Sequence, residues 1–445
     1  MQTSQETMGH SSSGYWRKKS FRDPLYGFIG VTERELKIVD SAPFQRLRQL
    51  KQLSHAHLLY PSATHVRFEH SLGAMCVADR MCTSLSVPDR ERELARVVVL
   101  CHDLGHGPFS HLFEKPLQAL NGDEFSHEAI TSWILRDNSV ISDALSELAD
   151  EAQSLLPVYR GKTEYRLLRE IVSSGLDADK LDYLRRDSYH VGVAYGSFDL
   201  DRILHTLSST AEGNLCVLEK GKDAVENYRL GRYLMHAQVY EHHTRLATDG
   251  MFLRALELAI RDGTIDKNSL RVGSRRNSYN SVNHSNFLKY YLKLNDETIT
   301  RQLLEASGNA KRLIADLCAR KLLKSAIELN TDLDVFDALK KKKISELEKS
   351  DMTKLEKEVA KQVGCDPDLI IAHLQQMTIK LYDRYDILVK RRDESIVTLE
   401  DVSPISASVK PIVKLFVFCP EQYRDKVRSA TYDYFSLSRV NTSNK

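Results

Sequence analysis

Five short stretches between Arg67 and Lys180 supply histidine and aspartate in an order that suits one metal site. They are Arg67-Phe68-Glu69-His70, Cys101-His102-Asp103-Leu104-Gly105-His106-Gly107, Ser110-His111, Ser126-His127-Glu128 and Leu176-Asp177-Ala178-Asp179-Lys180. A neutral imidazole nitrogen and a carboxylate oxygen are good ligands for a divalent first-row metal. Adjacent His102 and Asp103 can both reach one ion only where a helix ends and the backbone turns freely. Gly105, Gly107 and Pro108 supply that ending. His70, the His102-Asp103 doublet and Asp179 are therefore the candidate ligands, a set that leaves room for water or substrate. Such an open site lowers the pKa of bound water and polarises a phosphate, which points to hydrolysis of a phosphate ester.

His106, His111, His127, Glu114 and Glu128 surround this set in the sequence. Phosphoester hydrolysis needs a proton for the departing oxygen and a base or positioner for the water. Histidine can supply the proton near neutral pH, and a neighbouring carboxylate can hold it protonated and oriented. For His106 and His111, capping and core hydrogen bonds around the glycines account for the residues equally well.

A chain of 445 residues can bury a large core and is expected to form more than one domain. A hydrophobic fraction of 42% reads as soluble and globular. The net charge of +2 does not call for a nucleic-acid partner, and the run Lys340-Lys341-Lys342-Lys343 reads as a solvated face. Seven cysteines without a Cys-x-x-Cys pair indicate neither a disulfide framework nor a zinc ribbon, and fit a reducing cytoplasm. The first residues are polar and lack an apolar core, so no signal peptide is expected. No apolar run reaches the roughly 18 residues of a membrane span.

The apolar spacing predicts a mainly α fold with a small C-terminal α+β subdomain. Residues 1–18 read as a flexible tail. Asp23-Pro24-Leu25-Tyr26-Gly27 is a turn before a short extended segment, and Pro43 starts a second helix within 33–53. Single long helices are expected over 166–190, weakened or broken at Gly175, and over 223–262. A short strand is expected within 212–218, a loop over 264–285, helices over 286–363, and strands at Tyr385–Val389, Ile396–Leu399 and Ile412–Phe418. Lys180, Tyr183 and Asp187 share one helix side, and Arg232, His236 and Tyr240 share another. A cation, an imidazole and a phenol in line suit phosphates at one end and a sugar or base at the other. Spacing alone favours an ordinary polar face for both.

Together with Asp23-Pro-Leu-Tyr-Gly27, Phe44-Gln-Arg-Leu-Arg-Gln-Leu-Lys-Gln-Leu53, Arg67-Phe-Glu-His-Ser-Leu-Gly73 and Asp177-Ala-Asp-Lys-Leu-Asp-Tyr-Leu-Arg-Arg-Asp187, the Cys101–His111 motif resembles the HD-domain phosphohydrolases. Within them the chain resembles the deoxynucleoside triphosphate triphosphohydrolases, which include an animal enzyme with an added sterile-alpha-motif domain and bacterial relatives. The resemblance runs from Lys19 to Lys324 and weakens beyond. It implies a helical HD phosphohydrolase domain with an extension over 19–329, and an α+β subdomain over 330–445.

The resemblance implies that His70, His102, Asp103 and Asp179 hold a divalent transition metal, with Fe, Mn, Zn and Ni not distinguished. A further Mg2+ accompanies the substrate. His127 is implied to act on the scissile phosphate bond or its leaving group, supported by His106, His111, Glu114 and Glu128. Glu114 stands where the animal enzyme has aspartate. Arg67, Lys180, Tyr183 and Arg232 match phosphate contacts, Gln52 and Asp187 match contacts to the sugar 3′-hydroxyl, and His236 lies by the substrate. Leu53 and Tyr240 match the pair that crowds the 2′ position. A buried ribose hydroxyl without a partner costs about 1–3 kcal/mol, which favours deoxyribose. The implied reaction is attack of water at the α-phosphate, releasing a deoxynucleoside and triphosphate.

Members of the family are often tetramers activated by nucleotides bound between subunits. Lys19, Asp40, Gln45, Arg48, Arg202, Arg320 and Lys324 match positions of that activator site, so a nucleotide activator and a homo-oligomer, tetramer or dimer, are implied. Arg22 stands where the animal enzyme has asparagine. Two other readings remain open at this stage. One is an HD hydrolase of another nucleotide phosphoester, ribonucleotide, cyclic or signalling. The other is a nucleotide-sensing or single-stranded nucleic-acid-binding scaffold.

Overall fold

The computed structural model describes residues 19–122, 125–156, 165–272, 281–330, 347–377, 386–404 and 412–435. The expected tail over 1–18, the lysine run at 340–343 and Tyr385 lie outside the described residues.

The chain opens with a hairpin, β1 (Lys19–Asp23) against β2 (Gly27–Val31). Asp23 closes its turn, its Oδ1 accepting from the amides of Leu25 at 2.8 Å and Tyr26 at 3.1 Å. Helix α1 (Glu33–Val39) starts with a capping box between Thr32 and Glu35. Helix α2 (Ala42–Arg46) carries Pro43 in its first turn, where a missing N–H costs nothing.

The helical core contains α3 (Arg67–Ser84), α4 (Asp89–Cys101), α5 (His111–Asn121), α6 (His127–Asp137), α7 (Ser139–Leu145), α8 (Ala149–Leu155), α9 (Arg166–Val172) and α10 (Ala178–Val191). Helix α3 lies at its centre, packed on both α4 and α10. Leu72, Met75, Ala78 and Met81 of α3 are buried, as are Val97, Val98, Leu181 and Leu184 on its neighbours. Each fully buried side chain of this size contributes about 1.5–3 kcal/mol of transfer free energy. Gly73 lets α10 come close, because a Cβ there would overlap Arg186 Nη2 and Asp182 Oδ1.

The helix expected over 166–190 breaks around Gly175, as its sequence allowed: α9 ends at Val172 and α10 starts at Ala178. The carboxylate of Asp177 accepts from Ser174 N at 2.9 Å and Lys180 N at 2.8 Å, so it closes the connecting turn and caps α10. After α11 (Leu200–His205), the helix expected over 223–262 is also broken. Helix α12 (Lys222–Met235) runs into a π-helical turn, His236–Tyr240, and α13 (His243–Asp262) starts afresh behind a His242 cap. The π turn widens the backbone where two candidate substrate residues stand, a common place for such turns.

Helices α14 (Ser281–Tyr291), α15 (Asp296–Glu305) and α16 (Gly308–Cys318) follow, so helix begins before the expected 286. Strands are β3 (Leu207–Ser209), β4 (Leu215–Leu218), β5 (Lys324–Asn330), β6 (Ile371–Met377), β7 (Leu388–Lys390), β8 (Ile396–Thr398) and β9 (Ile412–Cys419). The expectation of helix throughout 286–363 is corrected by β5, where Ala326, Ile327 and Leu329 are buried in strand conformation. Later helices are α17 (Lys349–Val363), α18 (Leu399–Val402) and α19 (Arg424–Tyr434). One sheet has the order β5-β9-β6, antiparallel throughout. A second has the order β3-β4-β7-β8, with β4 and β7 parallel, so residues after 386 complete a sheet begun before 220. Strand β5 starts at Lys324, ahead of the boundary expected at 330.

The protein is mainly α. Among the described residues no helix is long and apolar enough to cross a membrane. All seven cysteines are free thiols.

Candidate active site

Helix α4 ends at Cys101, His102 is its C-cap, and Asp103 follows in the turn. Helix α6 presses on this turn: a Cβ on Gly105 would overlap the carbonyl oxygen of His127. Thr131 of α6 donates to His102 O at 3.0 Å and accepts from Gly105 N at 2.9 Å. The glycine loop therefore sets both the helix ending and the approach of His127.

His70 of α3, His102 of α4 and Asp179 of α10 place one donor atom each within 4.8 Å of the others. His70 Nε2 lies 3.0 Å from Asp179 Oδ1 and 3.7 Å from Asp103 Oδ2. His102 Nε2 lies 3.2 Å from Asp103 Oδ1 and 3.6 Å from Asp179 Oδ1. His70, His102 and Asp179 thus face one point; Asp103 borders it through contacts to both histidines, and its Oδ2 also accepts from Arg67 Nη1 at 2.6 Å.

The other imidazole nitrogens are already engaged. His70 Nδ1 donates to Asp182 Oδ2 at 2.8 Å, and His102 Nδ1 to Val99 O at 2.5 Å. This leaves each Nε2 lone pair directed at the centre. Both Nε2 atoms are buried and form no hydrogen bond. Two orphaned nitrogens against two carboxylates are a donor set that fits a divalent first-row metal. Burial opposes a charge on His70, but its close contacts with Asp179 and Asp182 and the Asp103 charge raise its pKa to about 10, so a metal would bind at Nε2 in competition with a proton. Burial also opposes the Asp179 charge, yet the contacts with His102 and His70 hold its pKa well below the usual carboxylate range.

A second cluster adjoins the first. Glu114 Oε1 accepts from His111 Nδ1 and His127 Nδ1, each at 2.9 Å, and lies 3.4 Å from His106 Nδ1. His106 and His127 stack with centroids 3.9 Å apart, and His106 Nε2 reaches Asp103 Oδ1 at 3.3 Å. Glu128 Oε1 stands 3.8 Å from His127 Nε2. Burial opposes protonation of His127, but the Glu114 charge and hydrogen bond, then Glu128, lift its pKa to about 9. His106 goes the other way: burial and the charges of Arg67 and His127 hold it neutral. The longer Glu114 side chain reaches three imidazoles at once, and His111 is the exposed member.

The candidate substrate residues extend away from the metal group. Lys180 Nζ pairs with Asp177 Oδ2 at 2.5 Å. Burial opposes its charge, but Asp177 and Asp179 raise its pKa. The Tyr183 ring lies 6.4 Å from His70 and 6.3 Å from Tyr240, and Tyr240 lies 4.9 Å from His236. Arg232 is buried beside Tyr228 and Tyr183. Asp187 accepts from Tyr240 Oη at 2.7 Å. The bridge between Lys51 and Val66 carries Gln52 and Leu53 alongside, and Gln52 Oε1 is buried without a hydrogen bond. Arg67 also donates from Nε to Ser110 Oγ at 2.8 Å, and Phe109 and Ser110 both hold positive φ, at 54° and 60°. That strained loop is set by Asp296, which accepts from Phe109 N at 2.7 Å.

The candidate activator residues fall in three places. Lys19, Asp40, Gln45 and Arg48 lie on the hairpin and on or just after α1 and α2, with Arg48 donating to Gln45 and covering the Phe68 ring. Arg202 is on α11 and donates to Lys220 O at 2.7 Å. Arg320 and Lys324 line a pocket of about 250 Å³ with His243, Phe418 and Arg424. Arg22, the departure noted in the sequence, covers the exposed ring of Phe28.

Several site residues were missed from sequence. Asp182, Arg186 and Asp23 buttress His70, and His65 holds Asp187. Asp23, Asp182 and Arg186 stand inside the motifs that carry the resemblance, but no role follows from that alone, and the i,i+4 spacing of Asp182 and Arg186 is one that surface helices share.

Known proteins bear the same pattern. The HD domain profile matches residues 67–187, and the HD associated region profile matches 198–286 and 274–445. An uncharacterised protein of Methanocaldococcus jannaschii is 30% identical over 92% of this chain and 81% of its own length. The chain belongs to the HD-domain phosphohydrolase family. Another member, a Dictyostelium discoideum homolog of the deoxynucleoside triphosphate triphosphohydrolase SAMHD1, is 34% identical over 50% of this chain. This chain spans only 46% of that relative. A solved structure of a hypothetical protein from Aquifex aeolicus superposes with a TM-score of 0.72 at 29% identity, covering 93% of this chain and 99% of the other. This HD-domain phosphohydrolase is accordingly a hydrolase with a His/Asp cluster able to hold a divalent metal.

Proposed function

We propose that this chain hydrolyses deoxynucleoside triphosphates to deoxynucleoside and triphosphate. The observation that carries the reading is the line of rings from His70 through Tyr183 to Tyr240 and His236. It joins the candidate metal-ligand group at one end to the pair of buried Asp187 and half-buried Tyr240 at the other. Phosphate chemistry and sugar recognition then share one continuous wall.

A metal held by His70, His102, Asp103 and Asp179 would supply Lewis-acid polarisation of the phosphate and an activated water. Arg67, Lys180 and Arg232 meet the triphosphate charge, whose remainder a further Mg2+ would neutralise. Water attacks the α-phosphorus and the bond to the 5′-oxygen breaks. His127, kept protonated by Glu114, gives its Nε2 proton to that oxygen, with Glu128, His106 and His111 orienting the pair. Asp187 and Gln52 take the 3′-hydroxyl, and Tyr240 with Leu53 leaves a 2′-hydroxyl neither space nor partner. Lys19, Asp40, Gln45, Arg48, Arg202, Arg320 and Lys324 receive an activating nucleotide in a homo-oligomer. We assign the residues from Lys19 to Leu323 to the catalytic domain, the accessory subdomain to the chain from Lys324, where β5 begins, in place of the boundary expected at 330, and the protein to the cytoplasm.

The test is chromatography of each dNTP, singly and in mixtures, with Mn2+ or Mg2+, beside GTP and a cyclic dinucleotide. Inorganic triphosphate as the product of dNTPs alone supports the reading. Turnover confined to GTP or the cyclic dinucleotide, or release of pyrophosphate, overturns it.

A further inference from the structure

His65 bonds to both residues that the proposed function places at the sugar 3′-hydroxyl. Its Nε2 donates to Asp187 Oδ1 at 2.7 Å, and its carbonyl oxygen accepts from Gln52 N at 3.0 Å. The other oxygen of Asp187 accepts from Tyr240 at 2.7 Å. The His65 imidazole therefore holds Asp187 and, through it, Tyr240, while the backbone carbonyl of the same residue holds the segment that carries Gln52.

The ring has little else to do. Its side chain is fully buried, and its Nδ1 forms no hydrogen bond. His190 stacks on it with centroids 4.5 Å apart and planes 12° from parallel, which fixes the ring plane. Ser62 Oγ donates to His190 O at 2.5 Å and anchors that stacking partner in turn. A carboxylate has two lone pairs on each oxygen, so with one taken by His65 and one by Tyr240 the remaining pairs point in set directions. A directed acceptor discriminates between hydroxyl patterns far better than a rotating one.

We propose that His65 is a positioning residue for sugar selection, aiming Asp187 and the Tyr240 phenol at the deoxyribose. The inference rests on the proposed function and adds to it the residue that holds the sugar reader in register. His65 itself stays behind Asp187 and does not touch substrate.

The experiment compares kcat and KM for dGTP and GTP in the full chain and in His65→Asn, His65→Ala and His65→Gln, with melting temperature and metal content recorded for each. Asparagine places its donor at the Nδ1 position, away from Asp187, whereas glutamine can reach the Nε2 position. We expect the dGTP-to-GTP ratio of kcat/KM to fall about tenfold in the asparagine and alanine variants, mainly through KM for dGTP. His65→Gln restores the ratio to within about threefold, at unchanged metal content. A wild type that prefers dGTP, with variants that lose rate on both nucleotides equally, overturns the role of His65 and leaves the proposed function standing. A wild type that does not prefer dGTP overturns both. Should His65→Ala fail to fold, the contrast between asparagine and glutamine decides the matter.

Discussion

Arg186 Nη1 lies 2.9 Å from Asp23 Oδ2, tying the first hairpin of the chain to the helix that carries Asp179. The same guanidinium donates from Nε and Nη2 to the two oxygens of Asp182, each at 2.9 Å, and Asp182 accepts from His70 Nδ1. Burial opposes the Asp182 charge, but Arg186 and His70 hold its pKa down at about 2. Replacing Asp182 with alanine strips Arg186 of its two-oxygen partner and His70 of its orienting acceptor. Loss of one partner from a buried pair costs about 3–5 kcal/mol. Metal affinity is expected to fall about 10–100-fold, as for other buttresses of ligating histidines. Calorimetric melting and metal competition with a chelator measure the two effects; unchanged affinity would refute the buttress.

Gly73→Ala tests the same contact by size alone. The added methyl overlaps Arg186 Nη2 and Asp182 Oδ1, both locked by ion pairs. Overpacking of this kind costs about 1–3 kcal/mol. The melting temperature and metal affinity should drop together, whereas a drop in stability with full affinity would place the strain elsewhere.

The Glu114–His127 pair sets a pH window. The folded pKa of His127 is raised to about 9, so its stabilisation is complete below the unfolded value and is lost as pH rises towards 9. Burial opposes the Glu114 charge, but His127 and His111 depress its folded pKa, so its contribution is present above the unfolded value and lost as pH falls. The pair therefore stabilises most between about pH 4.5 and 6.5, from the unfolded values of Glu and His. Glu114→Gln removes the charge that holds the proton on a buried imidazole. The alkaline limb of kcat should move about one to two pH units towards neutrality. A pH–rate profile with an unmoved limb would rule out His127 as the acid.

Metal binding should be measurable apart from turnover. Removing metal with a chelator and restoring Mn2+ at 100 times its Kd stabilises the fold by about 2.7 kcal/mol, seen as a rise in melting temperature. Asp179→Ala should abolish that rise and leave the purified protein depleted by elemental analysis. Persistence of both in the variant would remove Asp179 from the ligand set.

Arg320 and Lys324 line one pocket with Arg424 and His243. Reversing the first two to glutamate should abolish stimulation by mixed nucleotides. Titration of rate against nucleotide concentration reads this directly, and an undiminished response would exclude the pocket from activation.

Much of the centre was legible because its ligands recur in a fixed order with a helix-ending loop between them. Of the helix breaks, the one at Gly175 was marked by its glycine and the one at His236–Tyr240 was not marked at all. The turn before α10 depends on the carboxylate of Asp177 bonding to amides on both sides, and the π turn at His236–Tyr240 interrupts an unbroken helical pattern. Local spacing predicts helix at Lys324–Asn330, and the segment is a strand because its identity depends on β9, which lies far along the chain. Local spacing records which face is apolar; it does not record a partner that arrives from a distance.

Sequence alone determined the residue types and order of the candidate metal group, because histidine and carboxylate at a helix end suit an open divalent site. Tertiary structure decided how those groups are charged and aimed. Glu114 meets three imidazoles, Arg186 reaches the first hairpin, and His65 meets Asp187 across 122 residues of chain. Burial makes each of these contacts strong, and burial comes only when α3, α4, α6 and α10 close on one another.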